Sequence, residues 1–166
     1  IIDSHVHFYP HYDVHRTVNR QLTQLTPGNL ALWMVADRSG QDSFSLLNAT
    51  LVDPHTPGGA APGLTCYGSA VVGLGTPPRL FIFRGAQVVT TEGIECLIWP
   101  HAKLQDRAHS LTDLIGSLPA ALVILPWSPG KWRGTRKDLI AEVCAASRYD
   151  VLLGDIPMRI PWAPST

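Results

Sequence analysis

The chain has 166 residues, with 13 basic and 13 acidic side chains and a formal net charge of zero. This length is sufficient for one domain with a hydrophobic core. The balanced charge, without clustered Lys or Arg, argues against a nucleic-acid partner or an anionic membrane surface, and no apolar run approaches the roughly 18 residues that span a bilayer.

The cysteines predict the redox environment. Cys66, Cys96 and Cys144 are odd in number, far apart and in no CxxC spacing, which argues against a disulfide framework and a Cys-rich zinc site. We therefore expect a reducing, cytoplasmic location. Because the sequence does not open with Met and begins inside a predicted strand, we also expect it to be processed or truncated.

The first segment of the chain combines a predicted strand with two histidines. Apolar β-formers open the segment and Pro10 ends it. His5 and His7 are two residues apart, which in an extended segment places both imidazoles on one face. Since parallel α/β folds bind ligands where strands end, we predict that the pair shares one divalent metal ion. The alternative is a pair of solvent-facing side chains.

Strands and helices are predicted to alternate along the rest of the chain. A helix with Asp13 as N-cap is followed by a buried strand at 30–36, and a second helix begins near 39 or 42. Residues 53–79 are rich in Pro and Gly, which predicts a long loop or insertion with a short strand at 70–74. Further strands are expected at 80–83, 87–90, 94–99, 122–125 and 151–155, and further helices from Ser110 and Thr135.

This alternation is typical of βα units and predicts an α/β fold with mainly parallel strands. A TIM barrel typically uses about 250 residues, so about five such strands would form only part of one, or a smaller open sheet. The sequence thus predicts one domain over 1–166, an incomplete or distorted TIM-like barrel open beside its last strand.

The opening segment Ile2-Asp3-Ser4-His5-Val6-His7 resembles the signature of PHP (polymerase and histidinol phosphatase) domains, and is also similar to the first-strand motif of the amidohydrolase superfamily. Residues 83–97 resemble a second PHP segment, in which a glutamate follows a glycine by two positions and a histidine lies on the next strand. Gln87 stands in the place of that glutamate, and Glu95 falls at or next to the place of the histidine.

Two later strands extend the resemblance. Residues 122–127 are similar to the strand that ends with His-Pro in PHP domains, although no histidine is present here, and the strand 151–155 keeps its acidic end as Asp155. The last motif of the family, Gly-Ser-Asp-x-His, has no counterpart before Thr166. Either the domain continues beyond this sequence or part of the metal shell is lost.

The resemblance implies a distorted seven-strand barrel that holds divalent metal ions and hydrolyses phosphate esters. His5 and His7 would hold a zinc or manganese ion, with an oxygen ligand from Glu95 or Asp155. Asp155 and His101 are the candidate catalytic residues, and His101 could equally be a further ligand or a surface residue.

The loop at 128–136 carries three cations after a predicted strand. It lacks the Gly-x4-Gly-Lys-[Ser/Thr] spacing of a nucleotide P-loop. Lys131, Arg133 or Arg136 could hold an anionic group of a small-molecule substrate, such as a phosphate. The alternative is a solvated turn.

Three functions remain open at this point. The first is hydrolysis of a phosphate ester by a metal-activated water, and the second is an amidohydrolase-type reaction on a C–N bond or carboxyl ester. The third is a catalytically degenerate barrel fragment that serves as a structural or interaction module. Bound metal separates the first two functions from the third. No Gly-x-Ser-x-Gly motif supports a serine hydrolase.

Overall fold

The computed structural model describes residues 1–53, 61, 63–100, 108–118, 120–127, 132–146 and 151–155, with backbone only for 127 and 152–155. In this part of the chain the elements are β1 Ile2–Val6, α1 Val14–Gln24, β2 Ala31–Asp37, α2 Ser43–Val52, β3 Thr65–Tyr67, β4 Val71–Leu74, β5 Leu80–Val89, β6 Glu95–Trp99, α3 Leu111–Gly116, β7 Leu122–Trp127, α4 Thr135–Ala146 and β8 Val151–Asp155. The described residues fall into two compact units, one from 1–88 and 97–106 and one from 89–96 and 107–166.

The first unit is built on three parallel strands. β2 pairs in parallel with β1 on one side and with β5 on the other. β3 and β4 form an antiparallel pair, and β4 is also antiparallel to β5. The register places Val35 of β2 opposite Val6 of β1 and Arg84 of β5, so these three residues mark one face of the sheet and their chain neighbours mark the other.

Helices α1 and α2 cover the face of the sheet that Val35 marks. Each helix begins at an aspartate whose side chain accepts a hydrogen bond from a backbone N–H three residues later: Asp13 from Arg16, and Asp42 from Ser45. The apolar sides of both helices then pack on the strands and form the core of this unit. Its most completely buried members include Val18, Val35, Leu47, Leu51, Leu74, Leu80 and Ile82.

The second unit begins with a tight turn. The backbone N–H of Thr90 donates to Ile94 and that of Gly93 donates to Thr90, while Gly93 adopts a φ of 74°, which favours glycine. β7 and β8 are parallel. Helix α3 begins as its sequence predicts, because the Ser110 side chain accepts a hydrogen bond from the N–H of Asp113 at 3.1 Å.

The expected TIM-like barrel of mainly parallel strands is wrong. The expected open edge beside the last strand is found, since within the described residues β8 pairs only with β7 and β1 only with β2; the error lies in the strand directions and in the connections between strands. Parallel and antiparallel pairs both occur, so the fold is a mixed α/β sheet with four described helices.

Two segments explain this departure from the βα pattern. The Pro- and Gly-rich region contains the predicted strand β4, but also β3, and this antiparallel pair adds to the sheet without any helix. The short connection at 90–94 joins β5 to β6 without a helix, and a parallel crossover needs a dozen or more residues. Both interruptions remove helices that a barrel requires.

Candidate functional site

The two histidines of the opening segment lie together at the carboxyl end of β1. Their Nε2 atoms are 2.9 Å apart, and the rings meet edge-on with centroids 4.7 Å apart. Both side chains are half-buried. Within the strand, the backbone N–H of His5 donates to Asp3 Oδ1 at 3.2 Å. The predicted proximity of the two ring nitrogens is confirmed.

This separation suits two ligands of one ion. With metal–nitrogen bonds of about 2.0–2.1 Å, two nitrogens on one ion are separated by roughly 2.9 Å at a right angle and roughly 3.3 Å at a tetrahedral angle. The 2.9 Å found between His5 and His7 matches the first geometry and needs only a small ring rotation for the second. Without an ion, one Nε2 must carry the proton that the other accepts; a shared ion requires both protons on Nδ1.

A polar pair lies on the same face of the sheet as the histidines. Alternation from Val6 and Val35 puts His5 and His7 on the face opposite the helices, together with Arg38 after β2 and Gln87 in β5. Arg38 Nε donates to Gln87 Oε1 at 3.3 Å. Gln87 is buried and Arg38 is exposed. The carboxyl ends of β1, β2 and β5 thus present two imidazoles, one guanidinium and one amide on one face.

The opposite face carries a carboxylate with a structural role. Asp37 is buried at the end of β2, and its two oxygens accept hydrogen bonds from the backbone N–H groups of Ser43 and Phe44 at 3.0 and 3.2 Å. These donors belong to the first turn of α2, where such groups lack partners within the helix. Asp37 therefore caps the first turn of α2 and does not contribute a carboxylate to the face that carries the histidines.

Of the predicted acidic ligands, Glu95 is the first residue of β6, half-buried, and belongs to the second unit. Its role as a third ligand stays a prediction. Next to it, burial, assisted by the charges of Glu92 and Glu95, raises the pKa of the Cys96 thiol to about 12. Cys96 is thus a neutral core residue at physiological pH and no thiolate ligand.

The remaining predicted site residues are described to different extents. Arg136 donates through Nε to the backbone oxygen of Glu92 at 2.7 Å, so it serves the turn that opens the second unit, and Arg133 is exposed. The backbone of Asp155 ends β8, but its side chain lies outside the described residues, as do His101 and Lys131.

Sequence reasoning missed Arg38 and Trp99. Trp99 is buried, and its indole covers Gly85 on the histidine face so closely that a Cβ there would overlap it. A signal for Arg38 existed: it follows the buried strand that ends in Asp37, a position where parallel folds place binding residues. No sequence signal points to Trp99.

Among the described residues, no group of three or more His, Cys, Asp and Glu side chains is arranged to hold a metal ion. The same residues include no helix that is long and apolar enough to cross a membrane. Comparisons with models of protein families, with curated proteins and with solved structures gave no match.

Proposed function

We propose that this chain is a metal-dependent hydrolase that holds one divalent ion, zinc or manganese, between Nε2 of His5 and Nε2 of His7 and cleaves a phosphate ester. The observation that carries the proposal is the 2.9 Å between these two atoms at the carboxyl end of a parallel strand. The resemblance of the opening segment to PHP domains supports the choice of reaction.

The ion, when bound, supplies a Lewis acid and a source of hydroxide at neutral pH. The chain's own contribution is to hold both rings on one face with Nε2 directed at a common point. Two protein ligands leave positions open for water and substrate, whereas structural zinc sites are closed by four. Glu95 and Asp155 remain the proposed oxygen ligands, with Asp155 and His101 as proposed acid–base residues.

The cysteines support a proposal for the cellular compartment. Cys66, Cys96 and Cys144 are free thiols, which agrees with a reducing compartment. We place the protein in the cytoplasm with a small, phosphorylated substrate and no nucleic-acid or membrane partner.

The first experiment measures metal. The chain is purified without chelator, loaded with zinc or manganese, dialysed and analysed for bound metal per chain. We expect about one ion per chain, and loss of most of it in His5→Ala and His7→Ala. His11→Ala is the matched control, since His11 is exposed and stacks on Tyr9. Equal retention in all variants would refute the site.

The second experiment separates the reactions. Hydrolysis of p-nitrophenyl phosphate and of p-nitrophenyl acetate is measured with the metal-loaded chain. Activity on the phosphate that disappears in His5→Ala supports the phosphoesterase. Activity on the acetate alone favours the amidohydrolase-type alternative, and bound metal without either activity favours a degenerate, structural module.

The degenerate alternative rests on one specific observation. Gln87 replaces the glutamate that the family resemblance leads one to expect, and its oxygen is used by Arg38. An amide brings no negative charge to offset a metal ion, so the ligand shell is weaker at this position than in the family pattern.

A further inference from the structure

We propose that Arg38, held in place by Gln87, is the subsite for the phosphoryl group of the substrate. The inference rests on the proposed function for the reaction but stands on different residues. It assigns anion binding to the end of β2 and not to the cationic segment at 131–136.

The position of Arg38 is the first argument. It is the residue directly after β2, on the same face as His5 and His7, and β2 is the strand that pairs with β1. Asp37, the residue before it, points to the opposite face and is bonded to α2. The guanidinium therefore shares a face with the metal-binding pair, and the buried carboxylate does not.

The contact with Gln87 is the second argument. A guanidinium carries five N–H groups in a planar fork, and two of its edges can each bind an anion through two parallel hydrogen bonds. Gln87 Oε1 accepts from Nε at 3.3 Å, which occupies one edge and leaves the Nη1–Nη2 edge for a ligand. Within the part of the chain that the structure describes, the side-chain hydrogen bond of Arg38 is made by Nε and not by these two Nη groups.

The neutrality of Gln87 is the third argument. A glutamate at this position would pair with Arg38 as a salt bridge and would cancel the charge that an anion needs. The amide orients the guanidinium through one hydrogen bond and leaves its full positive charge in place. The replacement of glutamate by glutamine, unfavourable for a metal ligand, is favourable for an arginine that binds phosphate.

The competing cations belong to the second unit. Arg136 donates through Nε to the Glu92 backbone, and its terminal nitrogen lies beside Gly93 at the turn of the second unit. Arg133 is exposed on the same unit. Neither belongs to the unit that contains the histidine pair.

The test measures binding of inorganic phosphate by isothermal titration calorimetry to the metal-free chain in EDTA, so that it does not depend on the metal site. We expect Arg38→Ala to weaken phosphate binding about tenfold or more, and Arg38→Lys to weaken it less. Arg16→Ala, an exposed arginine on α1, removes the same charge elsewhere and should leave binding unchanged.

Gln87 is tested as a positioning residue. Gln87→Glu keeps the contact but cancels the charge, so phosphate binding should weaken as in Arg38→Ala, with the unfolding midpoint unchanged. With the metal-loaded enzyme, Arg38→Ala should raise KM for p-nitrophenyl phosphate more than it lowers kcat, and bound zinc should stay at the wild-type level.

Three results would overturn the inference: no phosphate binding by the wild-type chain, equal losses in Arg38→Ala and Arg16→Ala, or a loss confined to Arg136→Ala. Failure of the metal site looks different, since it removes zinc and hydrolysis while phosphate binding and its dependence on Arg38 persist.

Discussion

The two faces of the sheet in the first unit differ in how they use polar groups. On the helix-covered face, Asp37 is buried and its oxygens accept two backbone N–H groups of α2. On the opposite face, His5 and His7 are half-buried and Arg38 is exposed. Two neighbouring residues at the end of β2 thus differ in role: Asp37 stabilises the fold through α2, whereas Arg38, directly after the strand, is exposed and is the proposed anion-binding residue. Substitution of the buried polar residue on the first face should change stability, and substitution of the polar residues on the second face should change binding.

The largest expected effect on stability is that of Asp37→Ala. The substitution leaves two helix N–H groups without their buried acceptor and removes a negative charge from the helix N-terminus. We expect a loss of about 3 kcal/mol in the free energy of unfolding, measured by urea titration. Arg38→Ala is the comparison and should cost only about 1 kcal/mol, since it removes a single hydrogen bond to the buried Gln87 side chain. Similar losses in both variants would contradict the division between the faces.

Gly85→Ala should have the next largest effect. A Cβ at Gly85 would overlap the buried indole of Trp99, a large ring that cannot move without disturbing its neighbours. We expect a loss of about 2 kcal/mol in the free energy of unfolding, measured by urea titration. Gly116→Ala is the matched control, because a Cβ there meets no atom within 4 Å, and it should be neutral or slightly stabilising. If the midpoint of the urea unfolding transition were the same in Gly85→Ala as in wild type, Trp99 would not pack on Gly85 as described.

Glu92 should make the second unit sensitive to acid. Burial acts to raise the pKa of its carboxyl, but hydrogen bonds from Thr90 and from the Glu92 and Leu111 backbone outweigh this and lower the pKa from 4.5. A lowered folded-state pKa means that the stabilisation is present above pH 4.5 and is lost as the pH falls through the lower folded value. Because solvent screens this carboxylate, we expect its charge to contribute less than about 1 kcal/mol to the free energy of unfolding.

Urea titrations of wild type and Glu92→Gln between pH 3 and 7 test this. The variant keeps an acceptor for the N–H of Leu111, which lies 3.1 Å from Glu92 Oε2, but loses the charge. The two proteins should differ at pH 7 and converge at pH 3. If the free energies of unfolding of the two proteins differed by the same amount from pH 3 to 7, Glu92 would stabilise the unit through its shape and not through its charge.

The smallest effect is expected for the ion pair between Arg84 and Asp42. Its N–O distance is 2.8 Å, but the Asp42 side chain is 50% exposed. Burial acts to raise the pKa of Asp42, and the Ser45 hydrogen bonds and Arg84 lower it on balance. We expect a coupling energy below about 1 kcal/mol in a double-mutant cycle of Arg84→Met and Asp42→Asn. A coupling of several kcal/mol would place this contact among the main supports of α2.

The sequence predicts local structure better than the way the strands assemble. Asp13 and Ser110 act as N-caps because capping depends on residues three positions away, and the buried strand at 30–36 follows from its continuous apolar run. The barrel prediction failed because Thr65–Tyr67 forms an antiparallel hairpin with β4, and β4 pairs antiparallel with β5, in a segment whose Pro- and Gly-rich composition predicts mainly a loop. His5 and His7 were recognised from spacing, whereas the contact between Arg38 and Gln87 joins residues 49 positions apart.

X-ray absorption at the zinc edge of the zinc-loaded chain tests the central claim most directly, since it reports the atoms bound to the ion. The account predicts two imidazole nitrogens at about 2.0 Å, and their loss in the His5→Ala, His7→Ala double variant with the His11→Ala spectrum unchanged. A zinc environment without imidazole scattering, or one that survives in the double variant, would contradict the assignment of His5 and His7 as the metal ligands.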